Sequence, residues 1–205
     1  MDKKWVVIII ILLLLAISAR SPIGFHFFRH EHIVASRQNP ESDELRSLKF
    51  NFEVNIENTN VKLEDVFVKD TTDIPFLLSD VFKNGRDKML VCRFSERHCE
   101  SCVKLSILAI QNHLNTIGKD NVLFLGMHRN NRIFIQEKTH YNIQNMNVYN
   151  TAIFDIPVEK LNFPYYFILN SDMTITNVFV PDKATFSITD TYLKMITKQY
   201  FLNKK

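Results

Sequence analysis

The clearest change of hydrophobic period in the chain lies between Lys88 and Gly118. Met89, Leu90, Val91, Cys92 and Phe94 form an apolar run of β type, followed by the polar turn Ser95-Glu96-Arg97-His98. Beyond Cys99-Glu100-Ser101-Cys102 the pattern becomes that of an amphipathic helix, carried by Val103, Leu105, Ile107, Leu108, Ile110 and Leu114 and stopped at Gly118. Upstream, Phe50, Phe52, Val54 and Ile56 alternate with polar residues and predict a strand, and Val61 to Asp70 repeats the pattern. Residues 75 to 82 read as a connector and Asn84-Gly85 as a turn. Downstream, Val122 to Met127 is continuously apolar, the mark of a strand buried on both faces. Arg132 to Tyr141 predicts a helix and Met146 to Phe154 a weak strand. Pro164 opens a strand through Leu169, turned at Asn170-Ser171-Asp172 and answered by Thr174 to Val180. A last helix starts from a Ser187 or Thr189 cap and runs through Tyr200. This order predicts an α/β domain over residues 50–205, a mixed central sheet flanked by helices.

The N-terminus breaks from this pattern. After Lys3 and Lys4, Trp5 to Ile17 is a run of 13 apolar residues, followed by Ser18, Ala19 and Arg20. As a helix it would span roughly 20 Å against a hydrocarbon core of ~30 Å. Residues 1–28 therefore read either as a cleaved signal peptide, with Ala16, Ser18 and Ala19 as small residues, or as a signal anchor entering the membrane through residues 5–19. The anchor explains why Ile23, Phe25, Phe27 and Phe28 keep the next stretch apolar. Both readings send the rest of the chain out of the cytoplasm. Residues 29–49 are polar, contain Pro40, and read as a linker with a short helix at Ser42 to Leu48. His30 and His32 there have no Cys or acidic partner at ligand spacing, so they read as solvated.

Composition narrows the functional classes. The 205 residues are 46% hydrophobic, enough for one sizeable core. A net charge of +3, with no basic run interleaved with aromatics, gives no case for nucleic acid. Four glycines make no phosphate-cradling loop, and no cofactor is implied.

The chemistry is concentrated in Cys99-x-x-Cys102. A strand that delivers C-x-x-C to the first turn of a helix places the first thiol among unpaired N–H groups at the positive end of the dipole. That lowers its pKa, and the thiolate is the species that attacks a disulfide. Arg97 and His98 favour the Cys99 thiolate, whereas Glu100 opposes it. His98 either tunes the thiol or occupies an exposed turn. Cys92, inside the strand, reads as a small buried hydrophobe. Zinc would need two further ligands, and the chain holds no second C-x-x-C. A static disulfide remains the plain alternative to a redox-active pair.

Strand, C-x-x-C, helix, strand, helix, a proline-opened hairpin and a final helix is the order of a thioredoxin fold. The segment Leu77 to Cys102 resembles the corresponding stretch of the TlpA type, exported and membrane-tethered thiol–disulfide oxidoreductases. Pro164 follows Cys102 by 62 positions, similar to TlpA-type chains, which carry an extra strand and helix there. The resemblance implies a thioredoxin-like fold in which Cys99 attacks and Cys102 resolves. It also implies that Phe163-Pro164 forms a substrate-binding edge with a cis proline. Arg97, His98, Glu100 and Ser101, beside or between the cysteines, are expected from their charge and position to tune the pair. The resemblance implies a reductase on the periplasmic side of a single-pass membrane anchor. Its partners would be exported disulfide-containing proteins and a membrane electron donor or other thiol–disulfide partner. The chain departs from the family pattern at His98 (usually Trp), at Glu100-Ser101 (commonly Gly-Pro) and at Arg93, where thioredoxins often bury a carboxylate. The alternative function is a redox-inactive scaffold that keeps the fold as a docking surface.

Overall fold

The computed structural model describes residues 40–202. The signal or anchor segment 1–28, its membrane stretch 5–19 and the linker up to residue 39 lie outside the described residues. Among the described residues no helix is long and apolar enough to cross a membrane.

Seven strands form one mixed sheet: β1 (Phe67–Lys69), β2 (Pro75–Leu77), β3 (Lys88–Ser95), β4 (Val122–Met127), β5 (Asn147–Thr151), β6 (Tyr165–Asn170) and β7 (Ile175–Phe179). Their order is β2-β1-β5-β4-β3-β6-β7. β3 runs parallel to β4, β4 parallel to β5, and β6 antiparallel to both β3 and β7. The apolar run of β4 is buried as its composition predicts, and β3 is buried along nearly its whole length. Alternation on β3 divides its side chains between two cores. Leu90, Cys92 and Phe94 meet the helices α2 (Glu100–Ile117), α3 (Asn131–His140) and α4 (Phe186–Ile196), while Met89 and Val91 face the other core. Gly118 ends α2 with φ 84°, its N–H donating to the Leu114 carbonyl at 2.9 Å. The β6–β7 hairpin turns where the sequence places it, with Asn170 N–H on the Thr174 carbonyl at 2.9 Å.

The N-terminal part of the domain differs from the sequence reading. Residues Pro40–Asn58 form one 19-residue helix, α1, in place of a linker, a short helix and a strand at 50–56. The alternation at Phe50, Phe52, Val54 and Ile56 misleads because α1 turns polar residues inward. Ser47, Asn51 and Asn58 are buried with Val54, whereas Leu45, Leu48, Phe52 and Ile56 are exposed. The polar face has work at the sheet edge. Val180 N–H donates to Asn51 Oδ1 at 2.7 Å, Asn51 Nδ2 donates to the Val180 carbonyl at 3.2 Å, and Val178 N–H donates to Asn55 Oδ1 at 2.9 Å. Two asparagines thus supply bonds that another strand would make. The Val61–Asp70 pattern shortens to the three residues of β1, and the 75–82 connector becomes β2 and a 3-10 turn, Leu78–Phe82. The last helix is capped at Thr185, two or four residues ahead of its expected caps, and closes in a π turn, Thr197–Phe201.

Candidate active site: the Cys99–Cys102 pair

Cys99 is the N-cap of α2. Its carbonyl accepts the Cys102 and Val103 N–H groups, each at 3.0 Å, so the helix starts directly on the first cysteine. Ser106 Oγ donates to the Cys102 carbonyl at 2.8 Å, and Tyr166 OH donates to the Ser106 carbonyl at 2.6 Å, which holds the first turns of α2 on β6. All three cysteines are free thiols, with Cys99 exposed, Cys102 half-buried and Cys92 fully buried.

The two thiols of the motif are driven in opposite directions. Cys99 falls from an ordinary 9.0 to about 7, chiefly through the hydrogen bond with the Ser101 hydroxyl, whose Oγ lies 3.1 Å from Cys99 Sγ. The Cys102 thiol and backbone N–H add to the shift. Cys102 is raised, first by burial and then by its hydrogen bond with Cys99. Burial pushes Cys92 far up, which leaves it an inert core thiol as its place in the strand predicts.

The expected tuning residues take different roles. Ser101 carries the effect. Burial lowers His98 to about 4, with Glu159 opposing and Arg93 assisting, so at neutral pH its ring is neutral and lends Cys99 no positive charge. Its half-buried position is neither the exposed turn nor the cationic neighbour that the sequence suggests. Glu100 is drawn to His140, 3.1 Å away, and Arg97 is exposed.

Arg93 shows a feature that sequence reasoning missed. It is buried, with Nη2 2.6 Å from Glu159 Oε1 and 2.9 Å from the Ala152 carbonyl, Nε also facing the carboxylate, and its guanidinium 4.6 Å from the Phe154 ring centre. Tyr165 OH donates to Glu159 as well. The buried carboxylate is therefore present in this core, but it comes from the 3-10 turn Pro157–Leu161 and is neutralised by the strand arginine. A buried arginine in a strand signals an acidic partner, although nothing in its spacing says which one.

Cys99, Cys102 and Phe163 line one cavity of about 550 Å³. Phe163 is 48% exposed there, and Pro164 behind it is buried. No cis peptide bond occurs among the described residues, so Pro164 is trans and not cis as the resemblance implies; trans is the lower-energy isomer of an X–Pro bond. Tyr165 and Tyr166 are both fully buried, so neither reaches this cavity. Arg46, Ser47 and Phe50 of α1 wall it on one side, and Val180 to Lys183 on another. The sequence gives no sign of this wall, since it places residues 29–49 outside the domain. Among the described residues no three His, Cys, Asp or Glu side chains are grouped to hold a metal.

No protein-family model matches the chain, and no curated protein matches it in sequence. Solved structures match by shape. A thiol:disulfide interchange protein from Bacteroides sp. superposes with a TM-score of 0.53 at 12% identity, covering 72% of this chain and 93% of its own. The thioredoxin domain of a thiol-disulfide oxidoreductase from Bacteroides vulgatus matches with a TM-score of 0.47 at 11% identity, over 66% of this chain and 97% of that one. The fold, a mixed sheet flanked by helices, is thioredoxin-like.

Proposed function

We propose that the protein is a thiol–disulfide oxidoreductase that works through Cys99 and Cys102. The observation that carries this reading is the split acidity of the pair. The exposed thiol is lowered to about 7 at a helix N-terminus, and the half-buried thiol is raised. At neutral pH the Cys99 thiolate attacks one sulfur of a substrate disulfide R–S–S–R′. A Cys99–S–S–R bond forms and R′–S⁻ leaves. Cys102 loses its proton to solvent and attacks Cys99 Sγ, which closes the Cys99–Cys102 disulfide and releases R–S⁻. Two electrons have then passed from the pair to the substrate. A dithiol donor returns them in the next cycle.

The direction proposed is reduction. A nucleophile near 7 resembles that of thioredoxin, at about 7 and about −270 mV, more than that of DsbA, at about 3.5 and about −120 mV. The resemblance to the TlpA type supports action outside the cytoplasm from a membrane tether at residues 5–19. Exported disulfide-containing proteins would be the substrates and a membrane thiol–disulfide partner the electron donor. Phe163 and Pro164 form the edge on which the substrate rests, supported by Phe163 sharing the cavity of both thiols.

The test is a redox titration of the full chain against graded dithiothreitol or glutathione buffers, read by alkylation and mass. The expected result is a reversible two-electron transition confined to Cys99 and Cys102, with a midpoint nearer −270 than −120 mV. A pair that never closes, or never reopens, transfers the reading to the inert scaffold.

A further inference from the structure

We propose that a second copy of this chain docks on the outward face of α1, making the protein a two-fold dimer. Helix α1 is inside-out. Asn51 and Asn55 are committed to the sheet edge, while Leu45, Leu48, Phe52 and Ile56 stand 68, 50, 66 and 61% exposed in one stripe. Met195 of α4, 65% exposed, joins Leu45, Leu48 and Phe52 around a groove of about 590 Å³ between the two helices. At those exposures the five side chains present on the order of 600 Å² of apolar surface, the upper end of what a monomer carries. Homodimer interfaces are about 65% apolar, so if all of this surface were buried it would furnish the apolar share of an interface of at most roughly 900 Å² per copy, against ~800 Å² for a standard one.

The stripe also suits its own image. A two-fold interface sets each surface against itself. Reversing α1 about its stretch between Leu48 and Phe52 brings Leu45 of one copy onto Ile56 of the other, and Leu48 beside Phe52. The same reversal sets Lys49 alongside Glu53 of the other copy. Glu44, which would approach Glu57, is held by the Ser187 hydroxyl at 2.6 Å on its own chain.

The experiment is sedimentation velocity on the full chain in a density-matched mild detergent, for the wild type, Leu48→Glu and Phe52→Glu. Both positions are exposed, so folding should survive, and far-UV circular dichroism checks that it does. The expected result is a wild-type dimer at micromolar concentration, with dissociation constants raised at least about 100-fold in both variants. In parallel, wild-type chains grown with light and heavy nitrogen are mixed and treated with a zero-length carbodiimide. A Lys49–Glu53 link between light and heavy chains is expected. A monomeric wild type, a dimer that both charged variants leave intact, or a link found only within one chain overturns the proposal.

Discussion

Replacing Ser101 by alanine removes the largest single contribution to the acidity of Cys99. The alkylation midpoint of that thiol should move up from about 7 towards 9.0, read as iodoacetamide rate against pH. In the wild type the same rate should be about tenfold below its plateau at pH 6, since thiolate fraction sets it. His98 gives a stability signature instead. The folded state keeps it neutral down to about pH 4, whereas the unfolded chain protonates it near 6.5. The unfolded state binds more protons between those values, so stability is lost as pH falls through that window. The wild type should lose more stability than His98→Gln between pH 7 and 4.5 in urea titrations, by about 1 kcal/mol once the screening of this partly exposed ring by solvent is allowed for. Arg93→Met leaves the Glu159 carboxylate buried without its cation and should cost about 3–5 kcal/mol. The double variant Arg93→Met/Glu159→Leu should recover most of that, because the pair's desolvation then disappears with it.

Helix α1 is held by side-chain hydrogen bonds as well as by its two apolar contacts, Phe50 and Val54, and it can be weakened at one residue. Asn51→Ala strips both partners from the Val180 peptide, leaving a buried N–H and carbonyl unpaired, and should cost about 1–3 kcal/mol by urea unfolding. The same arrangement explains what the sequence could and could not tell. Strands β3 and β4 and helix α2 were legible because burial and hydrophobicity coincide along them, and Gly118 marks a true stop. The cysteine pair was legible because its helix position follows from the same pattern. Helix α1 was illegible because reading by hydrophobic period assumes that apolar residues face inward. In α1 the residues at helical spacing that face inward are Ser47, Asn51, Val54 and Asn58, mostly polar. The cavity wall was lost with it, since Arg46 and Phe50 belong to that helix. Glu159 escaped because it pairs with Arg93 across 66 residues.

Across the molecule, the sheet has two edges and guards each differently. β2 is three residues long and starts with Pro75, which offers no N–H to a passing strand. β7 is guarded by the α1 asparagines. The double variant Asn51→Ala/Asn55→Ala should therefore scatter light on heating at temperatures where the wild type stays clear, an edge-to-edge association that Asn51→Ala alone shows more weakly. The asparagine clasp also sets a clock. The Val178 and Val180 amides point at side chains of a helix, whereas the amides of β6 point at neighbouring strands. In deuterium these two protons should exchange in step with the backbone of α1 and ahead of β6. Two amides, one in the last strand and one just past its end, thus time how often the first helix lifts away from the sheet.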